Sequence, residues 1–115
     1  MRRNKIDFDV VRGIALELPG VKEGTLHGAP SLKVSGRLFA CPALHKSAEP
    51  NSLLVRIGFE ERKRLLTAQP GVFYLTEHYV NYPAVLVRLS CIRHDSLQEV
   101  INMAWRFVSS KGRRA

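Results

Sequence analysis

Cys41 and His45 stand four residues apart, the spacing at which two metal ligands share one face of a helix. Pro42 breaks any helix between them, and the polar run "LHKSAEPN" at 44–51 reads as a loop, so no shared face is assigned to the pair. His27, His78 and His94 are scattered, and no two histidines sit at i, i+4 on a predicted helix. Neither Cys41 nor Cys91 has a neighbour that would hold it as a thiolate. Asp7 with Asp9, and Glu60 with Glu61, fall at the starts of predicted helices, where carboxylates suit the helix dipole better than acid–base work. Gly28-Ala29-Pro30-Ser31 lacks the Gly-x-x-x-x-Gly-Lys pattern of a phosphate loop, no helix follows it, and Pro30 removes an N–H donor. No catalytic residue, metal ligand or cofactor is therefore expected.

The cations and aromatics carry more. Lys33 and Arg37 flank Ser35-Gly36, a tight-turn signal, and would form a two-cation wing tip. Arg62, Lys63 and Arg64 make a second cluster, and Arg56 and Arg88 sit on strand-like runs from which they would point outward. Tyr79 and Tyr82, in the loop "EHYVNYP", would offer rings on which bases stack. These residues make nucleic-acid binding, weak or non-specific, the first expectation. A second is a protein- or peptide-binding module, as a homodimer or with another partner, through a sheet edge. A third is a small-molecule pocket under the loop at 77–83, using His78, Tyr79 and Tyr82 with Arg88.

These residues belong to a chain of 115, long enough to bury one core without a staple, and it reads as a single domain over 1–115. The net charge is +8, but Arg2, Arg3 and Lys5 at one end and Lys111, Arg113 and Arg114 at the other hold six of the cations. Residues 6–110 carry twelve cations against ten anions, a net +2, so the basic tails at 1–5 and 111–115 dominate any general attraction to polyanions. No apolar run approaches the roughly 20 residues of a membrane span. The N-terminus meets Asp7 and Asp9 before any apolar stretch, unlike a signal peptide. The cysteines read as small buried hydrophobes in a reducing compartment, and a cytoplasmic protein is expected.

The elements that must position these groups follow from periodicity. Residues 6–18 put Phe8, Val11, Ile14, Ala15 and Leu18 on one helical face, ended by Pro19-Gly20. Four short strand-like runs follow between 22 and 57, each bounded by Gly or Pro, with Leu32 and Val34 alternating against Ser31, Lys33 and Ser35. A helix is predicted over 59–68, then strands at 72–76 and 84–90. Ser96 and Glu99 form a capping box for a last helix carrying Leu97, Val100, Ile101, Ala104, Trp105 and Val108, with the tryptophan expected against a sheet. Tight turns between consecutive strands favour an antiparallel sheet, so the fold class is α+β: two layers, order α-β(3–4)-α-β(2)-α.

The segments "LPGVKEGTLHGAPSLKVSGRLFA", "LLVRI" before a helix and Pro-Gly, and "FYLTEHYVNYPAVLVRL", with a terminal helix bearing a central aromatic, resemble the MmcQ/YjbR family over roughly residues 8–108. The resemblance implies a compact α+β fold, similar to secretion-chaperone-like and CyaY-like domains, and a DNA-binding role. The chain departs from the family's pattern at His27, where tryptophan is frequent, and in "NYPAVLV", which lacks a tryptophan common nearby. An aromatic ligand platform at those positions therefore does not carry over.

Overall fold

The structure, a computed structural model, describes residues 6–26 and 28–113, with side chains as far as residue 110. The basic tails and His27 lie outside those described residues or side chains. Helix α1 (Phe8–Ala15) is started by Asp7, whose carboxylate accepts from the Asp9 and Val10 amides at 3.1 and 3.4 Å. It stops three residues short of the predicted end. Residues 16–18 tighten into i→i+3 turns, with Leu18 N donating to Ala15 O at 3.0 Å, and Pro19 has no N–H to prolong them.

Strands β1 (Val21–Leu26), β2 (Ala29–Val34), β3 (Arg37–Pro42) and β4 (Ser52–Arg56) form a meander. Helix α2 (Phe59–Ala68) and strands β5 (Phe73–Tyr74) and β6 (Ala84–Arg88) follow, and α3 (His94–Arg113) closes the order. The six strands pair antiparallel throughout, in the order β1-β2-β3-β4-β6-β5, which makes the protein an α+β fold of two layers. The β2–β3 turn has Ser35 at φ +55° and Gly36 at φ +75°, as a two-residue type I′ hairpin requires at both central positions.

One face of the sheet is covered by helices. Leu32, Val34, Leu53, Val55, Val85 and Val87 meet Leu97, Val100, Ile101, Ala104 and Val108 of α3 and Val11 and Ala15 of α1. Each fully buried aliphatic side chain contributes about 1.5–3 kcal/mol, so α3 is anchored chiefly by this stripe. A bulge between Leu32 and Lys33 sets Ala40 opposite Leu32 and Leu38 opposite Lys33; Phe39 is the extra residue, and it too enters this core.

Three local expectations are corrected, and Trp105 gains a partner that its spacing does not predict. Helix α3 begins at His94, with Leu97 N donating to Arg93 O at 2.9 Å and the Asp95 carboxylate accepting from Ser96 N at 2.8 Å, so Ser96 lies inside the first turn rather than capping it. Trp105 is half-buried, and its Nε1 donates to Pro19 O at 3.0 Å, tying α3 to the α1–β1 turn. Cys91 is exposed, because β6 ends at Arg88 and the chain turns with Cys91 N donating to Arg88 O. Strand β5 has two residues of the five predicted, since Leu75 and Thr76 leave the sheet for the following loop. Among the described residues no helix is long and apolar enough to cross a membrane.

Candidate ligand groove on the open sheet face

Strand alternation sends every second residue away from the helices, to a face that α1 and α3 do not cover. Cys41, Leu54, Leu86 and Tyr74 are cross-strand neighbours there, in a row that runs from β3 to the edge strand β5. Two loops, 43–51 and 75–83, fold over this face. Tyr79 seats the second: it is 8% exposed and packs with Ala43 and Leu86. Burial raises its hydroxyl above the usual phenol range, and interaction with the His45 backbone pulls it partly back.

The two loops meet through two histidines. The His45 and His78 rings stack at 3.5 Å between centroids and 8° between planes, and Tyr79 stands edge-on to both, at 6.1 and 4.7 Å. The Ser47 backbone N–H donates to His45 Nδ1 at 3.0 Å, which fixes Nδ1 as an acceptor and places the proton of the neutral ring on Nε2. The Ser47 hydroxyl lies 2.8 Å from that nitrogen and 2.8 Å from Thr76 Oγ1, bridging the loops a second time. Desolvation, with the nearby charges of His78 and Lys46, lowers the His45 pKa.

Between loops and sheet lie two hollows, of about 310 and 330 Å³, that share Leu38, Leu54, His78 and Tyr79 as walls. The first runs toward Leu26, Cys41, Leu44 and His45, the second toward Arg56, Tyr82 and Pro83. Together they form one groove, mostly apolar, with few polar groups, the composition of a ligand pocket. Leu26, Leu44 and Tyr82 line it while 40%, 68% and 57% exposed, so its rim is an apolar surface left open. Arg56 Nε is buried without a hydrogen-bond partner. The Cys41 thiol is pushed up to about 11 by burial, which favours its protonated form.

The structure brings together the expected pocket residues His78, Tyr79 and Tyr82, and it corrects the cation beside them. Arg88 is elsewhere: its guanidinium grips Glu49 with two bonds of 2.9 Å, lies 4.3 Å from the Tyr74 ring centre, and holds Glu49 below the usual carboxylate range. Arg56 occupies the groove in its place. Cys41 and His45, assigned no common face from sequence, line the same hollow because the β3 end and the following loop fold back together. Only the register of the sheet and the loop return could have found them.

The expected nucleic-acid residues divide among the open face, which carries Lys33, Arg56 and Arg88, the hairpin and α2. Lys33 is on the open face, Arg37 is exposed at the hairpin, and Lys63 is exposed on α2. Arg62 turns inward, over Phe59 at 4.7 Å, and its Nη1 donates to the carbonyls of Val80, Tyr82 and Ala84 at 2.9–3.3 Å. Arg64 pairs with Glu61 at 2.6 Å. Of the α2 cluster, Arg62 is thus spent on the fold, holding the loop that roofs the groove, while Lys63 and Arg64 stay exposed.

A family model, YjbR, matches residues 16–107. The uncharacterised proteins Rv2570 of Mycobacterium tuberculosis and Mb2600 of Mycobacterium bovis are each 45% identical over 58 residues, covering 50% of this chain and 45% of theirs. The chain thus spans about half the length of these relatives. Among solved structures, the Deinococcus radiodurans protein DR2400, described as a DUF419 domain, superposes with a TM-score of 0.77 at 21% identity, over 97% of this chain and 85% of that one. At that identity the likeness bears on the fold alone.

Proposed function

Since the chain belongs to the YjbR family, we propose that it works as a non-catalytic binding domain, taking on its open sheet face a planar, largely apolar ligand that carries an acidic group. The observation behind this reading is the groove itself: two hollows with four common walls, apolar along their length, with the guanidinium of Arg56 at one end and its Nε unpaired. An unpaired buried donor costs about 1–3 kcal/mol, which an acceptor on the ligand would offset. His78 and Tyr82 supply flat faces for the planar part, and Leu38 and Leu54 its floor. Anilinonaphthalene sulfonate is a suitable probe, being planar, apolar and anionic. Saturable binding that weakens about tenfold in Arg56→Met, the loss of one charge-assisted contact, supports the reading. Equal binding by both proteins sinks it.

DNA binding is the second reading, favoured by the presence of Lys33, Arg56 and Tyr82 on or beside the open face. It relocates the interface from the wing and α2 to the sheet. A salt titration of DNA affinity with the full chain, and with residues 1–5 and 111–115 removed, separates tails from body. A steep salt dependence that persists after trimming supports the sheet. Binding that vanishes with the tails assigns it to them.

A further inference from the structure

On the same open face, toward the β1 edge and beside the groove wall at Leu38, a hollow of about 400 Å³ is walled by Gly20, Lys22, Gly24, Lys33 and the turn residues Ser35 and Gly36. Lys22 and Lys33 are direct cross-strand partners, so their side chains rise from one face with Cβ atoms about 4.5–5.5 Å apart. Like charges so placed destabilise a sheet. Neither ammonium has an ion pair or hydrogen bond among the described residues. Glu23, which also borders the hollow, alternates to the other face, where its carboxylate accepts from Arg12 Nε at 2.9 Å. The turn glycine leaves its wall low: a Cβ at Gly36 would meet nothing within 4 Å.

We propose that Lys22 and Lys33 form a binding site for the phosphate group of a phosphate ester. Two mobile point charges on one side of a bare-walled hollow suit a tetrahedral anion with several equivalent oxygens, whereas a planar carboxylate is better matched by an arginine fork. A bound dianion converts the repulsion between the lysines into attraction to a common centre. The site adjoins the groove, since Lys33 pairs with Leu38 of its wall, but shares no lining residue with it and does not depend on it. The phosphate is either that of a small free ester or that of a nucleic-acid backbone, and the two are separable.

The test is amide-resolved NMR of the full chain, titrated in parallel with inorganic phosphate and with a thymidine octamer, ionic strength being held constant with chloride. Amides at 22–24 and 33–36 are expected to shift together and saturate. The double variant Lys22→Ala/Lys33→Ala should lose affinity about tenfold, and Lys63→Ala, an exposed lysine elsewhere, should not. A response to inorganic phosphate assigns a free ester; a response to the octamer alone assigns a backbone phosphate. The double variant should melt no lower than the parent, since like charges are removed, and Lys22→Arg should retain binding. No shift with either probe, or an undiminished response in the double variant, overturns the site.

Discussion

His45 and His78 lie face to face at 3.5 Å, one from each of the two loops that roof the open sheet face. The contact needs at least one neutral ring, and His45 is the one the fold keeps neutral: its Nδ1 accepts from Ser47 N–H, and desolvation lowers its pKa. A histidine whose pKa is lowered by folding binds protons more readily in the unfolded chain. Its contribution to stability is complete above the ordinary value of 6.5 and is lost progressively as pH falls below that value toward the lower folded pKa. Melting temperature should therefore fall on acidification, and His45→Gln, which cannot titrate, should flatten that fall. An identical pH profile in the variant would show that the stack does not couple the loops to pH.

Arg62 was a nucleic-acid candidate, and its three carbonyl partners give it a different job. Arg62→Ala should destabilise the fold by about 2 kcal/mol, the scale for charged hydrogen bonds to partly buried acceptors. Lys63→Ala, one position along and exposed, should change stability by less than about 0.5 kcal/mol. Denaturant midpoints of the two variants decide it; equal midpoints would leave Arg62 no structural role.

The two cysteines should separate by reactivity. In the native protein at mildly alkaline pH, a maleimide or Ellman's reagent should label Cys91, which is exposed, and spare Cys41, which is buried with a thiol near 11. Both should react after denaturation. Prompt labelling of Cys41 in the native state would mean that the groove is wider than its lining allows.

The β2–β3 turn predicts a backbone effect without any lost contact. Gly36 has φ +75° and open space where a Cβ would sit, so Gly36→Ala should cost about 1 kcal/mol from conformation alone. Thermal unfolding reads this directly, and an unchanged melting temperature would contradict the type I′ geometry.

These cases also mark what local sequence carries and what it does not. Ser35-Gly36 was legible because a two-residue hairpin is chosen by the residues inside it. The stripe from Leu97 to Val108 was legible because burial imposes a period on consecutive turns of one helix. Pro42 forbids a common helical face for Cys41 and His45, yet they meet through a strand end and its return loop. Arg56 and Arg88 are alike in sequence, each a cation closing an apolar strand. Only the presence of Glu49 beside Arg88, contributed by a distant loop, decides that Arg88 is consumed and Arg56 is not. Lys22 carries no local signal for the same reason, since its pairing with Lys33 is a matter of register. Trp105 packs against the core, and its indole N–H also donates to the Pro19 carbonyl, a partner that amphipathicity does not specify.

The most direct measurement on the groove is a shift map of the full chain titrated with anilinonaphthalene sulfonate, repeated with Arg56→Met and Tyr82→Ala. The expected result is a single saturable set of perturbed amides around 38, 54–56 and 78–84, with affinity reduced about tenfold in each variant and melting temperatures of the free proteins within a few degrees of the parent. Perturbations centred instead on the apolar hollow beside Met103 and Phe107, or binding indifferent to both substitutions, would contradict a ligand site on the open face.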